Sequence, residues 1–424
     1  MTYKEYKNDS YNLYTIKTNK FKTCHMEIVF YDEFNKDEVT ATNMISDMLS
    51  FSSLKYPRKK DVFEKLEDLY NANFYGVASR TGNLRMINFV YNFIDPKYGD
   101  KSYFKEVIKF PFEMIFNPNI VNDEFDLRSF KIVRNRNIAD INSVKESPTR
   151  YAIKQALKFM DNNHPASCDL VGNLSDMDNI TCSSLVDTYN KLINNYKCEI
   201  YLVGNLDMDK VNIMINEYFR NNIIHNKDIN LYIDEIHTNK VKDKTDIDSF
   251  KQATLVCLFS MVGLSDLEKN IIVHTFNHLF GQGSLNAKLA MNLREKNSLC
   301  YNVSSLYQKY DNLMIVYAGI DPNNKDKCVK LIKKSLKEMQ NGDFSDDDVS
   351  NAIKSLVNGY KMSLDNMNSL VTNYLFHNLA GAPLLDERIK LVNNVTKKDI
   401  INIANKIKLN TIYMIRGEKW KRLS

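Results

Sequence analysis

Apolar positions in this chain fall into two matching series of short alternating runs and helical stripes. In the first series, residues 11–17 and 26–31 alternate apolar and polar side chains and are rich in β-branched and aromatic types, so both read as strands. Val39, Met44, Ile45, Met48 and Leu49 then recur at helical spacing, which predicts a helix over about 36–52. A second helix follows over about 60–70. Strands are predicted at 74–79 and 84–92, joined by Thr81-Gly82-Asn83, and then a helix at 101–116. The stretch 121–160 is charged and helical, with Pro148 placed to open a new helix in its first turn. A helix at 183–194, a strand at 198–203 closed by Gly204, and a helix at 208–220 end the series.

The second series repeats this order. It predicts a strand at 254–259, helices at 266–280 and 285–296, strands at 300–307 and 313–318, and a helix at 325–340. A helical middle covers 346–379, followed by a helix at 398–407 and a strand at 411–415 closed by Arg416-Gly417. Two tripeptides mark the register of the repeat. Ile94-Asp95-Pro96 and Ile320-Asp321-Pro322 lie 226 positions apart, each at the end of a run that opens with Asn-Leu. The intervening Asn- and Lys-rich stretch, 221–249, lacks sustained periodicity and reads as a connector. Paired strands with grouped helices predict an α+β fold of two homologous repeats, each an antiparallel sheet covered by helices. The predicted division is 1–225, a linker at 226–249, and 250–424.

Composition narrows the function classes. At 424 residues, two copies of about 200 fit without remainder, and each can bury its own core. The 57 basic and 52 acidic residues leave a net charge of +5 with no long basic run, which does not suit nucleic acid. No apolar run is long enough to span a bilayer, and the first 24 residues are polar and interrupted by lysines, unlike a secretory leader. Seven scattered cysteines (Cys24, Cys168, Cys182, Cys198, Cys257, Cys300 and Cys328), with no Cys-x-x-Cys, predict free thiols and a cytoplasmic location.

One stretch carries a specific motif. Gly281-Gln282-Gly283-Ser284 is followed by Leu289 and by Leu293-Arg294-Glu295-Lys296-Asn297-Ser298-Leu299-Cys300-Tyr301. It resembles the second-copy motif of the pitrilysin-like, or insulinase-type, zinc metallopeptidases, and the resemblance runs over nearly the whole chain. Arg294 and Tyr301 keep the family spacing; Ser298 stands where glycine is usual. The resemblance implies that this pair holds the substrate backbone and helps a tetrahedral oxyanion, roles that suit a guanidinium and a phenol.

Catalytic members of that family hold zinc through His-x-x-Glu-His on the first long helix, with a Glu from a later helix as third ligand. Two imidazoles one turn apart can grip one metal. The positions aligned here are Met44-Ile45-Ser46-Asp47-Met48, so Met44 and Met48 replace the ligands and Asp47 replaces the base. The later stretch 125–140 contains no Glu, although Glu124 lies just before it. Thioethers bind Zn²⁺ poorly beside imidazole or carboxylate. The resemblance therefore implies a half-clamshell with no metal of its own. It implies a homologous zinc-bearing partner subunit in a heterodimer, with a peptide as substrate. The alternative is an inactive peptide-binding or scaffold protein with no shared active site. A further alternative is His274-Thr275-Phe276-Asn277-His278, two imidazoles at metal-binding spacing but with no base between them and no evident third ligand. The glycines at 281 and 283 lack the Lys-Ser/Thr of a phosphate loop and predict a helix-to-helix turn. Cys300 reads as a packing residue.

Overall fold

The computed structural model describes residues 1–219, 229–237, 240–283 and 286–418. The predicted helix end at Arg220, the start of the predicted linker, and Ser284 and Leu285 lie outside them.

The first copy contains strands β1 (Thr2–Lys7), β2 (Asn12–Lys17), β3 (Thr23–Glu33), β4 (Asn73–Thr81) and β5 (Leu84–Ile94), then a small hairpin, β6 (Ile120–Val121) and β7 (Glu124–Phe125), and finally β8 (Lys197–Gly204). The second contains β9 (Lys242–Asp248), β10 (Ala253–Met261), β11 (Cys300–Gln308), β12 (Leu313–Ile320) and β13 (Ile407–Gly417). Helices of the first are α1 (Val39–Phe51), α2 (Lys59–Asp68), α3 (Tyr103–Phe116), α4 (Leu127–Ser143), α5 (Pro148–Met160), α6 (Leu174–Met177), α7 (Cys182–Asn195) and α8 (Met208–Asn216). Those of the second are α9 (Val273–Asn277), α10 (Lys325–Asn341), α11 (Asp346–Ser363), α12 (Met367–Ala380), α13 (Leu385–Asn393) and α14 (Lys397–Asn405).

The sheets run β1-β2-β8-β3-β5-β4 and β11-β12-β10-β13-β9. Their equivalence is visible in register: Thr23 faces Ile94 in one, and Ala253 faces Ile320 in the other. Each Ile-Asp-Pro tripeptide does the same local work. The Asp carboxylate accepts the backbone N–H two residues on, at 3.0 Å for Asp95 and 2.9 Å for Asp321, and Pro begins a short 3-10 turn.

Among the described strands, pairing is antiparallel except where β2 meets β8 and β9 meets β13, so in each copy one early strand lies parallel to the closing strand. Strand β9 falls inside the stretch expected as a linker. Its sequence, Lys-Asp-Lys-Thr-Asp-Ile-Asp, has no apolar face because it is an exposed edge strand with no core side. Alternating charges on such an edge also deter pairing with other chains.

Two compact units result. One comprises Met1–Asn142, Asp169–Asn230 and Asn366–Leu375; the other comprises Ser143–Cys168, Leu231–Asp365 and Phe376–Ser424. In the first, Met26, Ile28 and Phe30 of β3 pack on Met44, Ile45, Met48 and Leu49 of α1. In the second, Leu255, Cys257 and Phe259 of β10 pack on Phe276 and Phe280. The opposite face of β10, Val256 and Leu258, is covered by Ala152 and Ala156 of α5. Small residues on α5 let it lie close to the sheet.

Candidate functional site

Arg294 is the penultimate residue of a π-helical segment, Ala290–Glu295, in the second unit. The chain then turns at Ser298, whose φ of +50° lies in the left-handed region. Ser298 N–H bonds to the Arg294 carbonyl at 2.8 Å, and Leu299 N–H bonds to the Leu293 carbonyl at 2.9 Å. This pair of nested bonds is a closure one residue wider than a Schellman motif, in keeping with the π winding, and Leu293 and Leu299 are buried together in the core. Glycine adopts that backbone without cost, whereas an L side chain pays roughly 1 kcal/mol. Ser298→Gly is therefore expected to raise stability by about 0.5–1 kcal/mol, read as a higher urea midpoint with an unchanged slope.

Strand β11 begins two residues later, at the edge of its sheet. Cys300 faces Ile320 and Val303 faces Ala318, so Tyr301 and Asn302 together oppose Gly319. Two residues against one is a β-bulge, which bends the strand and re-aims its side chains. Asn302 Oδ1 accepts the Gly319 N–H at 3.1 Å in place of a ladder bond. A Cβ on Gly319 would lie 2.6 Å from Gln252 Nε2 and 2.8 Å from Asn302 Oδ1, so any side chain there would push these two amides aside. Tyr301 is thereby thrown outward, 83% exposed. The Arg294 guanidinium sits 5.7 Å from its ring centre. That guanidinium also lies 3.4 Å from Glu295, a half-exposed pair worth little. Both side chains open onto a groove of 580 Å³ bordered by Gln252, Ser298, Gly319 and Asp321. Gln252, Asn302 and Gly319 were not singled out in the sequence, because a bulge has no periodicity signal. Burial pushes the neighbouring Cys300 thiol up to about 11, against the pull of Arg294, which suits packing rather than nucleophilic chemistry.

In the first unit, Met44 and Met48 are 0% and 1% exposed and belong to the core. The side chains that α1 turns toward α4 are those of Asn43 and Asp47. Asn43 Nδ2 donates to Asn137 Oδ1 at 2.8 Å, and Asn137 Nδ2 donates to Asp47 Oδ2 at 2.7 Å. Asn137 is fully buried. Arg136 lies 3.7 Å from Asp47 Oδ1. Burial pushes the Asp47 carboxyl up, opposed by Arg136 and Asn137. Burial and Arg136 push the nearby Lys59 amine down. Two amides, one carboxylate and two nearby cations do not fit zinc, which needs imidazole, thiolate or several carboxylates. Among the described residues, no group of three or more His, Cys, Asp or Glu is placed to hold a metal.

Among the described residues, His274 and His278 have no third His, Cys, Asp or Glu placed with them to hold a metal. Their helix changes winding around them, π over Glu268–Ile272, α over Val273–Asn277, then π over His278–Gln282. His274 meets the Tyr307 ring edge-on at 5.4 Å. Burial, together with Arg388 and Lys309, pushes its imidazole down to about 4. Cations that disfavour a proton on His274 also repel a metal ion. Gly281 and Gln282 are the last residues of this helix and Gly283 caps it; the rest of the predicted turn falls outside the described residues.

Comparison with known proteins agrees with these local findings. Residues 179–356 match the family model described as the Peptidase M16 inactive domain. A Bacillus subtilis relative, "Probable inactive metalloprotease YmfF", is 25% identical over 421 residues, covering 97% of both chains. The chain is thus similar to inactive, pitrilysin-like M16 proteins. Two solved structures share its fold. A conserved protein from Enterococcus faecalis V583 superposes with a TM-score of 0.92 at 23% identity, covering 99% of each chain. A peptidase M16 inactive domain from Pseudomonas fluorescens gives 0.80 at 15% identity, again covering 99% of each. Among the described residues, no helix is long and apolar enough to cross a membrane.

Proposed function

We propose that this chain is the metal-free subunit of a heterodimeric pitrilysin-like peptidase. It contributes Arg294 and Tyr301 to the substrate, while a homologous subunit bearing His-x-x-Glu-His brings the zinc. The observation that carries the reading is the outward Arg294–Tyr301 pair on a bulged edge strand, beside an open groove. A guanidinium and a phenol near one another supply fixed donors for a peptide carbonyl and for the charge that develops on it. The first unit is read as the remnant of a metal site, with Asn43, Asp47 and Asn137 at the ligand positions. That assignment rests on the requirement that a metal-binding pair one turn apart faces the helix that brings the third ligand, which here is α4. A cytoplasmic location is supported by the seven cysteines, none of them in a disulfide.

The test is reconstitution. The purified chain alone, and a homologue carrying His-x-x-Glu-His alone, should each hydrolyse peptides slowly or not at all, and the mixture should turn over. Stoichiometric zinc with robust hydrolysis by this chain by itself sinks the proposal. Assembly without any gain in turnover favours the scaffold reading instead.

A further inference from the structure

Helix α10 of the second unit carries a row of lysines on its outer face. Cys328, Val329, Ile332, Leu336 and Met339 bury the inner face in the core. Lys327, Lys330, Lys333, Lys334 and Lys337 are all exposed. At about 100° per residue they fall within an arc of about 120° opposite the buried side, and the row rises about 15 Å along the helix. Apolar residues interrupt the lysines in sequence, so no basic run is visible there, and helical winding brings them together.

Among the described residues, Lys327, Lys330, Lys333 and Lys337 make no ion pair and no hydrogen bond. Lys334 lies 3.8 Å from Glu338, a carboxylate that also accepts from Asn292 Nδ2 at 2.8 Å. The other carboxylate of the helix, Asp326, sits in the first turn, where the positive end of the helix favours it. Each lysine of the row has another three or four positions away, a spacing at which like charges repel and destabilise a helix. The fold itself does not demand this. Helix α3 is the counterpart in the first copy, since both helices follow an Ile-Asp-Pro tripeptide and its 3-10 turn. Its lysines are Lys105 and Lys109, its carboxylates Glu106 and Glu113, and Lys109 pairs with Glu217 at 2.7 Å.

A self-repelling row of this kind fits an anionic occupant, and its character favours a lipid surface. No large hydrophobic side chain of α10 is exposed. Protein interfaces centre on apolar or aromatic anchors and are depleted in lysine. The diffuse field of an anionic bilayer attracts each nearby lysine without an anchor and without shape complementarity. We propose that the lysine row of α10 docks the second unit, reversibly and without insertion, on a membrane surface rich in anionic lipid. The proposal does not depend on the peptidase reading, because binding is measured on this chain alone.

Co-sedimentation of the full chain with vesicles tests it. Partition onto vesicles of phosphatidylcholine with about one third phosphatidylglycerol should exceed that onto phosphatidylcholine alone by about 10²-fold or more. It should fall about tenfold or more between roughly 0.05 and 0.5 M salt, as the charges are screened. Lys330→Gln/Lys334→Gln/Lys337→Gln should weaken partition onto the anionic vesicles by about tenfold or more. Its urea midpoint should be no lower than the parent's, because the substitutions are exposed and relieve repulsion. A control that removes equal charge at exposed positions elsewhere in the unit, Lys354→Gln/Lys361→Gln/Lys390→Gln, should lose no more than about threefold. Equal partition onto both kinds of vesicle, or onto neither, overturns the proposal, and so do equal losses in the two variants. An absence of vesicle binding together with failure of the folded row variant to assemble with a His-x-x-Glu-His homologue would assign the row to a protein partner instead.

Discussion

Arg294→Ala and Tyr301→Phe will each lower kcat/KM of the reconstituted peptidase by about 10²–10³-fold, the size of effect found when one oxyanion donor is removed. The two should differ in how the loss divides. A guanidinium that grips the substrate backbone acts in the ground state and the transition state alike, so Arg294→Ala should raise KM as well as lower kcat. A phenol that reaches only the developing oxyanion should act mainly on kcat. Neither change should disturb folding, because Tyr301 is 83% exposed and the Arg294 side chain 42% exposed. Exposed substitutions of this kind usually move stability by no more than about 0.5 kcal/mol. Steady-state kinetics on the complex, beside denaturant melts and sizing of the assembled pair, separates the cases. Unchanged turnover in complexes of unchanged size would remove Arg294 and Tyr301 from the chemistry and leave a scaffold.

The outline of the fold was legible in the sequence because both strong signals, alternation and helical recurrence, come from core faces. Met26, Ile28 and Phe30 alternate because they line one side of β3, and the stripe through Ile45 and Leu49 recurs because α1 buries it. Strand β9 was missed for the complementary reason: an edge strand with no buried side carries no alternation. The parallel pairings of β2 with β8 and β9 with β13 were missed too, since periodicity reports which face is buried and not which neighbour pairs. At the groove, the motif around Arg294 and Tyr301 could be read directly. What makes Tyr301 point outward could not, because it depends on Gly319 and Gln252, distant in sequence and brought to the bulge by the fold. The departure at Ser298 was visible, and the structure gives its physical meaning: a serine held at a backbone angle that favours glycine.

The metal-site remnant makes a prediction whose sign depends on one residue of register. Building histidines at the positions first aligned, Met44→His with Met48→His, should destabilise the first unit by about 4 kcal/mol or more. Both side chains are essentially unexposed and packed among Ile28, Phe30 and Leu49, so each imidazole would be buried without an assured partner. That is a large fraction of the roughly 5–15 kcal/mol that holds a domain together. Building them one residue earlier should do the opposite of harm to metal binding. In Asn43→His with Asp47→His and Asn137→Glu, two imidazoles one turn apart would face a carboxylate from α4, where the present side chains already meet at 2.8 and 2.7 Å. Three such donors suffice for a zinc site with one open position. Affinity should be modest, because Arg136 and Lys59 remain nearby and oppose a second positive charge. Denaturant melts of both variants and zinc content after dialysis give the answer. A stable Met44→His/Met48→His protein that retains zinc, beside an Asn43→His/Asp47→His/Asn137→Glu protein that does not, would return the remnant to the methionines and remove Asn137 from it.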